Sequence, residues 1–322
     1  MSPPRILFIT SNRLGDAVLS TGILGYLLER QPEARLTVAC GALPAPLFSA
    51  IPQLERLIPL VKRGRASHWR DLWRASIGTR WDLVVDLRNS LFPWLVRARK
   101  RIRFGADNRP MHRVCQLAGA VGLSPDLAPA PRLWLAEAVR AEAARRLPPD
   151  GLPVLAIGPT ANWKGKQWDP ARFSALIDDV TSPTGALPGA WVAVFGAAAE
   201  RPSAQPVLDA IPPERRLDFV GGMDVALAGA CLERCALYVG NDSGLMHTAC
   251  AAGIPTIGLF GPSSDVHYGP WGSRCLAVRT EESPDYFIAH KCHANPNPQG
   301  LLDSISVEQV LRAVDQVLLR GA

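Results

Sequence analysis

The chain has 322 residues, enough for two domains of ordinary size, and 48% of them are hydrophobic while 20% are charged. This composition is that of a folded globular protein and excludes an intrinsically disordered chain. The formal net charge of +6 favours anionic partners, among them nucleic acid, anionic lipid and phosphorylated substrates. A solvated basic surface without a partner fits the charge equally well.

The seven cysteines are scattered and form no CxxC pair, which is typical of a protein in a reducing cytoplasm rather than of a disulfide scaffold. The first residues, MSPPRILFIT, contain no charged segment leading into a long apolar run, so no signal peptide is predicted. No apolar stretch approaches the roughly 18 residues that a membrane helix needs. We therefore expect a cytoplasmic protein, and association with a membrane surface stays open.

The first half of the chain begins with a predicted βαβ unit. A strand is predicted over residues 5–10, a turn over 11–15, a helix over 17–30 and a second strand over 35–39, and a further strand over 82–87. The strands are apolar on successive residues, which is typical of strands buried on both faces of a parallel sheet. This half therefore resembles a Rossmann-like domain.

A domain boundary is predicted where the pattern breaks near the middle of the chain. Residues 137–147 are typical of an exposed amphipathic helix, residues 148–151 (PPDG) end it, and a new buried strand follows at 154–157. A Pro/Gly-rich hinge followed by a restart of the β-α alternation is typical of a boundary between domains. We therefore expect domains at 1–150 and 151–322, with the final helix packing either on the second domain or back on the first.

The second half repeats the alternation of strands and helices. Strands are predicted at residues 191–195, 219–220, 236–239 and 256–260, each followed by a glycine, and a helix is predicted at 245–252. This pattern predicts a second doubly wound α/β domain. Two such domains predict a ligand-binding cleft between the carboxyl ends of their sheets.

The segment 240–247 (GNDSGLMH) joins a predicted strand to a predicted helix. Asp242 or Ser243 is placed as the N-cap residue, and Gly244 allows a ligand to approach the backbone closely. Free N–H groups at a helix start form an anion site that suits a diphosphate. His247 lies about one turn inside the helix. A capped helix without a ligand is the alternative interpretation.

Asp16 lies in another strand-to-helix turn, within residues 14–16 (LGD). A carboxylate at a helix start is commonly no more than a cap. At the mouth of a parallel sheet it also faces the predicted cleft, where it fits the role of a general base. The helix dipole favours its ionised form.

A third loop, at residues 158–168 (GPTANWKGKQW), follows the first strand of the second domain. It contains a hydroxyl, an amide and two lysines, which are groups that neutralise charge on a departing phosphate. It lacks the GxxxxGK[ST] spacing of a P-loop, which argues against a nucleoside-triphosphate hydrolase. A solvated loop is again the alternative.

Together these segments resemble glycosyltransferase family 9, the ADP-heptose:lipopolysaccharide heptosyltransferase family. The resemblance rests on residues 14–21, on the loop ending at 166–168 (KQW), on 241–247 and on 252–263. It implies a GT-B fold of two Rossmann-like doubly wound domains facing a central cleft, the first binding the acceptor and the second the donor. It implies an inverting, metal-independent transfer of a sugar, heptose from ADP-heptose, onto a lipopolysaccharide core or related surface glycan. No cofactor is implied beyond the nucleotide-sugar donor.

The resemblance also implies residue roles by position. Asp16 would deprotonate the acceptor hydroxyl, and Lys166 would stabilise the departing diphosphate. Asp242 would bind sugar hydroxyls, and Ser243 and Gly244 would bind the phosphates. The donor-binding residues implied in this way are Thr160, Asn162, Glu200, Met223, Asp242, Ser243, Gly244 and His247.

Three positions depart from the family pattern. Gly22 replaces a proline that is common after the first motif, and Asp169 separates the tryptophan of the third loop from Pro170. Cys292 stands alone where many relatives have several cysteines. These departures bear on the sugar and the acceptor rather than on the fold or the reaction class.

Basic residues cluster in the first domain at Lys62, Arg63, Arg65, Arg97, Arg99, Lys100, Arg101 and Arg103. Because the resemblance assigns the acceptor to this domain, we expect Arg88 and Arg101 to contact an anionic glycolipid or saccharide. The cluster also suits the anionic, cytoplasmic face of the inner membrane. A solvated basic face is equally compatible with these charges.

Several other interpretations are weighed against a glycosyltransferase. His290, Cys292 and His293 fit no zinc spacing, so a surface loop is predicted there rather than a metal site. Three alternatives have the same fold: a transferase that uses another nucleotide-sugar donor, a sugar-nucleotide epimerase and a non-catalytic nucleotide-sugar binding protein. Asp16 and Lys166 argue against a mere binder, which needs no base. No recognition helix or aromatic platform for nucleic acid is present, so no nucleic-acid partner is expected.

Overall fold

The computed structural model describes residues 3–61, 64, 67–105, 107, 109–149, 151–287, 289 and 300–320. The chain divides into two compact units, Met1–Ala136 and Glu137–Ala322. The division falls before helix α4 (Glu137–Arg146), whereas the sequence placed it after this helix, at residue 150. The reason is packing: α4 lies against a helix of the second unit, α7 (Val225–Leu232).

The first unit contains a five-stranded parallel sheet in the order β3-β2-β1-β4-β5. Its strands are β1 (Arg5–Ile9), β2 (Arg35–Cys40), β3 (Leu54–Pro59), β4 (Trp81–Asp86) and β5 (Ala98–Arg103). Its helices are α1 (Leu14–Arg30), α2 (Ser67–Ser76) and α3 (Arg113–Ala120). The central strand β1 is buried and apolar from Ile6 onwards, because α/β packing covers both faces of a parallel sheet. The predicted βαβ unit is confirmed.

The second unit contains a six-stranded parallel sheet in the order β11-β10-β9-β6-β7-β8. Its strands are β6 (Val154–Gly158), β7 (Trp191–Gly196), β8 (Arg216–Val220), β9 (Leu237–Asn241), β10 (Thr256–Phe260) and β11 (Cys275–Arg279). Besides α4 and α7, its helices are α5 (Pro170–Thr181), α6 (Arg201–Ala210), α8 (Gly244–Ala251), α9 (Asp265–Tyr268), α10 (Pro284–Tyr286) and α11 (Val307–Leu319). The last helix, α11, packs against α5, β10 and β11 of this unit. The second predicted doubly wound domain is confirmed.

Helices in the two units begin in two different ways. The side chains of Asp169, Asp224 and Ser306 cap α5, α7 and α11 through hydrogen bonds to first-turn N–H groups. Asp169 accepts from the N–H of Ala171 at 2.7 Å, and Pro170 occupies the first turn. The cap explains why an aspartate precedes this proline. Helices α1 and α8 begin without any side-chain cap.

Gly22 is required by a chain segment that crosses α1. A Cβ atom at Gly22 would lie 2.2 Å from the carbonyl oxygen of Pro129. Three residues later in this segment, the N–H of Arg132 donates to the buried Oγ1 of Thr21 at 2.9 Å. Any larger residue at position 22 would push the segment away from the helix, since interiors are close-packed. This packing accounts for the departure from the proline of the family pattern.

Candidate functional site

Each sheet reverses its winding direction beside its first strand. In the first sheet β1 lies between β2 and β4, and in the second sheet β6 lies between β7 and β9. Doubly wound folds bind ligands outside the carboxyl ends of the strands at such a switch point. Asp16 follows β1, Lys166 follows β6 and Asp242 follows β9. The three residues singled out by the sequence therefore occupy the expected ligand-binding edges.

In the second unit, Lys166 and Asp242 form an ion pair. Nζ of Lys166 donates to Oδ2 of Asp242 at 2.5 Å. The Lys166 side chain is 27% exposed and that of Asp242 only 9%, so the pair is shielded but reachable. An ammonium group has three N–H donors, so two remain for an anionic ligand. The pair brings together the two residues expected to hold a diphosphate and a sugar.

Asn241 fixes both ends of the loop that carries Lys166. Its Nδ2 donates to the carbonyl oxygen of Pro159 at 2.8 Å, and its Oδ1 accepts from the N–H of Trp168 at 3.0 Å. Asn241 is fully buried, so losing either partner would leave a polar group unsatisfied away from water. The sequence singled out this residue only as part of a motif and missed its structural role.

Thr160 and Glu200 are also brought together, across the loops after β6 and β7. Oγ1 of Thr160 donates to Oε2 of Glu200 at 2.8 Å, and the N–H of Ala197 donates to the same oxygen at 2.9 Å. Gly196 allows this approach, since a Cβ there would lie 3.2 Å from Oγ1 of Thr160. Two of the predicted donor residues thus share one hydrogen-bonded site.

The helix that follows β9 begins with an open N-terminus. Ser243 takes the N-cap position of α8, yet its hydroxyl does not cap the helix. Its Oγ is buried without a hydrogen-bond partner among the described residues, and so is Oγ of Ser263 in the loop after β10. First-turn N–H groups that no side chain caps can bind an anion. Ser263 belongs to the quoted family motif but was not predicted as a site residue.

Tyr238 lies beneath this helix start, fully buried in β9. A Cβ at Gly158 would lie 2.0 Å from its Oη, and one at Gly240 would lie 2.5 Å away. The glycines that end β6 and precede Asn241 therefore leave room for this ring. Burial raises the pKa of Tyr238 well above its ordinary value. Sequence reasoning missed Tyr238, because a tyrosine in an apolar strand indicates only a core position.

The remaining predicted donor residues occupy different surroundings. Asn162 is exposed in the loop after β6, and Met223 is half-buried between β8 and α7. His247 is buried in α8, three residues after Gly244 opens that helix. Their contacts with a donor stay predictions.

In the first unit, Asp16 lies half-buried in the first turn of α1. Oγ of Ser11 donates to its Oδ2 at 3.4 Å, and Ser11 in turn accepts from the N–H of Arg13 at 3.0 Å. Arg13 is the N-cap residue and supplies no side-chain cap. Among the described residues the carboxylate thus has one long hydrogen bond, and the positive end of a helix lies beside it. Such a group can accept a proton from a bound hydroxyl.

Arg88 follows β4, the strand next to β1. Its guanidinium lies 4.8 Å from the ring centre of Trp69. Burial lowers the pKa of Arg88, and the nearby Asp86 carboxylate raises that pKa in smaller measure. Its Nη1 is buried and has no hydrogen-bond partner among the described residues. This donor is available to an anionic group on an acceptor.

Arg101 binds backbone carbonyls of its own part of the chain. Nε donates to Pro93 at 2.7 Å, Nη1 to Ala98 at 2.9 Å and Nη2 to Val96 at 3.0 Å. Three of its five N–H donors therefore hold the turn before β5. The structure gives Arg101 a structural role, and its contact with an acceptor stays a prediction.

Two predicted features fall outside the described residues: the basic residues Lys62, Arg63 and Arg65, and the group His290, Cys292 and His293. In the part of the chain that the structure describes, no three His, Cys, Asp or Glu side chains are grouped to hold a metal ion. None of the helices described there has the length and apolar character of a membrane span.

Comparison with known proteins decides the family. The model of glycosyltransferase family 9 (heptosyltransferase) matches residues 95–295. The chain belongs to glycosyltransferase family 9. It is therefore a glycosyltransferase, as the motifs indicated. A family relative, lipooligosaccharide heptosyltransferase 2 of Haemophilus influenzae, is 23% identical over 98% of this chain and 99% of its own length.

Solved structures share the fold over nearly the whole chain. A family 9 glycosyltransferase from Veillonella parvula has a TM-score of 0.82 at 22% identity, covering 99% of this chain and 98% of its own. The ADP-heptose lipopolysaccharide heptosyltransferase II of E. coli has a TM-score of 0.76 at 21% identity, covering 98% of this chain and 99% of its own. The GT-B fold expected from the sequence is confirmed.

Proposed function

We propose that this family 9 enzyme transfers heptose from ADP-heptose to a lipopolysaccharide core or a related surface glycan. The Lys166–Asp242 pair beside the uncapped start of α8 carries the proposal. It sets an ammonium group and free helix N–H groups, which suit a diphosphate, next to a carboxylate, which suits sugar hydroxyls. The similarity to heptosyltransferases along the whole chain supports heptose as the sugar.

The second unit holds the donor in this mechanism. Lys166 and the first-turn N–H groups of α8 bind the diphosphate, while Asp242 accepts hydrogen bonds from the sugar. Negative charge grows on the leaving phosphate as the bond from the anomeric carbon to oxygen breaks. The contacts with Lys166 and α8 therefore strengthen in the transition state and accelerate the reaction. These positive groups supply the stabilisation of the leaving group, and we propose that the transfer is metal-independent.

The first unit binds the acceptor. Asp16 takes the proton of the acceptor hydroxyl as its oxygen attacks the anomeric carbon, opposite to the departing phosphate. A single displacement of this kind inverts the anomeric configuration. Arg88 donates its free Nη1 hydrogen to an anionic group of the acceptor. We propose a cytoplasmic enzyme that meets its anionic glycolipid acceptor at the inner membrane surface.

Other donors and other reactions on this fold make different predictions. A different nucleotide sugar would use the same diphosphate contacts. An epimerase would convert the donor without an acceptor, and a binding protein would have no use for Asp16.

A donor panel separates these alternatives. The full chain is incubated with ADP-heptose, or with ADP-, GDP- and UDP-hexoses, with and without a heptose-free core acceptor. We expect nucleotide release and a heptose-sized mass gain only with ADP-heptose and acceptor together. Isomerised donor without acceptor would indicate an epimerase. Donor binding without turnover would indicate a binding protein, and preference for a hexose donor would overturn the assignment of heptose.

A further inference from the structure

Residues 91–95 form an exposed apolar turn between β4 and β5, here called the apolar turn. Leu91 is 74% exposed, Trp94 61% and Leu95 58%, whereas Phe92 and Pro93 point inward and are buried. Single exposed apolar side chains are common on soluble proteins. Three large ones on one turn make a patch of the kind that marks an interaction site.

The apolar turn is held firmly from behind. Phe92 stacks on Trp69 of α2 with ring centres 5.9 Å apart. Nε1 of Trp73, one helical turn further along α2, donates to the carbonyl oxygen of Leu95 at 3.1 Å. Arg101 adds its three hydrogen bonds to carbonyls of residues 93–98. Because these contacts fix the backbone of the turn, its outward side chains have defined positions on the surface.

Positive charge lies beside the apolar turn. The guanidinium of Arg103 lies 5.6 Å from the ring centre of Trp94. Exposed basic residues on the elements that hold the turn are Arg70 and Arg74 of α2, Arg97 directly after the turn, and Arg99 and Arg103 of β5, here called the basic rim. Arg101 is exposed as well but is bound to backbone carbonyls, and Lys100 lies on the opposite face of the sheet beside Tyr26 and Arg30. Asp71 is the one exposed acidic residue between positions 67 and 105, all of which the structure describes. Apolar and indole side chains beside a cationic rim complement the interface of an anionic bilayer.

The apolar turn begins near the edge of the sheet that carries Asp16 and leads back towards the opposite edge, where the carbonyl oxygen of Arg97 accepts from the N–H of Trp81. Strands β1 and β4 are parallel neighbours, and the N–H of Leu87 bonds to the carbonyl oxygen of Ile9 at 2.9 Å. The chain therefore leaves both strands at the carboxyl edge, towards Asp16 in one case and towards the apolar turn in the other. A surface that receives the apolar turn would lie beside the edge that carries the base.

We propose that the apolar turn, assisted by the basic rim, inserts into the headgroup region of an anionic phospholipid bilayer and docks the first unit there. This inference rests on the proposed function, because docking brings the Asp16 edge to an acceptor that is itself anchored in lipid. The cationic rim selects a lipid surface over a second copy of this basic chain, which would bring like charges together.

The test compares the full chain with a variant that makes the turn polar, Leu91→Ser/Trp94→Ser/Leu95→Ser. Leu319→Ser is the matched control, because Leu319 in α11 is 75% exposed and Leu91 is 74% exposed. Co-sedimentation is measured with vesicles of phosphatidylcholine and phosphatidylglycerol and with vesicles of phosphatidylcholine alone. We expect the triple variant to lose about tenfold or more in partitioning to the anionic vesicles. The control should match the wild type, and zwitterionic vesicles should bind all three proteins weakly.

Transfer assays on two acceptors keep the docking inference separate from the proposed function. The triple variant should match the wild type on a deacylated, soluble core acceptor and lose activity only on acceptor embedded in vesicles. Unchanged vesicle binding by the triple variant, or equal loss in the control, overturns docking through this turn. So does a dimer without vesicles that the triple variant abolishes. A wild type that binds vesicles but transfers heptose to neither acceptor refutes the proposed function alone.

Discussion

The carboxyl edges of the two sheets differ in how fully their polar groups are satisfied. In the second unit, contacts of 2.5–3.0 Å made by Asn241, Thr160 and Lys166 join the loops after β6, β7 and β9. In the first unit, Asp16 accepts one hydrogen bond of 3.4 Å, and Arg88 keeps a buried Nη1 without a partner among the described residues. The edge proposed for the donor, here the donor edge, is thus organised by the chain's own contacts, whereas the edge proposed for the acceptor, here the acceptor edge, has polar groups that a bound acceptor would satisfy.

The helix starts sharpen this contrast. Capped helices such as α5, α7 and α11 serve packing, and their first-turn N–H groups are partly occupied by the chain itself. Helices α1 and α8, at the two switch points, have no side-chain cap, and neither does α6 after β7. A missing cap costs stability of about 1 kcal/mol, and it leaves the first-turn N–H groups of α1 and α8 free for a ligand. Both edges therefore have a helix start without a side-chain cap, and they differ in how fully the neighbouring polar groups are hydrogen-bonded.

The largest effect is expected from removing Asp16, the proposed base at the acceptor edge. Asp16→Asn keeps the size of the side chain and loses its ability to take a proton, so transfer should fall about 1,000-fold. Because the proposed donor site lies in the other unit, calorimetry should give an unchanged affinity for ADP-heptose. Turnover close to that of the wild type would remove Asp16 from the role of base.

The next largest effect is expected at the donor edge. Lys166→Ala removes a charge that counts most as the diphosphate leaves, so kcat should fall about 100- to 1,000-fold, with partial recovery in Lys166→Arg. Lys164→Ala is the matched control, since Lys164 lies exposed in the same short turn. Equal losses in the two alanine variants would show that the loop contributes only general positive charge.

Preorganisation of the donor edge is tested by Asn241→Ala. The substitution leaves the N–H of Trp168 and the carbonyl of Pro159 without their partner, so stability should fall by about 2–4 kcal/mol. Chemical denaturation of the full chain measures it, with the exposed Asn162→Ala as a control expected to stay within about 0.5 kcal/mol of the wild type. An unchanged stability in Asn241→Ala would mean that the loop after β6 does not depend on the hydrogen bonds of Asn241.

The smallest effect is expected for Arg88. Arg88→Ala removes the free Nη1 donor, so KM for the acceptor should rise about tenfold while kcat and KM for the donor stay unchanged, as initial-rate kinetics would show. A rise in the KM for the donor instead would show that Arg88 acts in donor binding and not in acceptor binding.

The strands that sequence patterns missed lie at the edges of the sheets. Interior strands such as β1 and β10 are continuous apolar runs, because both of their faces are covered. Edge strands need no such run: β3 (LERLIP) is mixed, and four of the six residues of β5 (ARKRIR) are basic. Charges on an edge strand also discourage pairing with another chain. The basic run expected to form a binding patch is, in large part, such a strand.

Only those residues of the candidate site that lie in short, recognisable sequence segments could be predicted. Asp16, Lys166 and Asp242 stand in recognisable turns, so their positions could be inferred. Other features depend on contacts that form only in the folded chain. These are the hydrogen bonds of Asn241, the packing of the Tyr238 ring against two glycines, and the bonds of Arg101 to backbone carbonyls. The glycines at the ends of β6 and β9 were the one local signal of Tyr238, and many strands end in glycine for other reasons.

The configuration of the product is the sharpest test of inverting, metal-independent heptosyl transfer. The full chain is incubated with ADP-heptose, a heptose-free core acceptor and excess EDTA, and the new glycosidic bond is analysed by NMR. We expect one added heptose whose anomeric configuration is opposite to that in the donor, formed at a rate unaffected by the chelator. A product with retained configuration, or transfer that stops when divalent metal is removed, would contradict this mechanism.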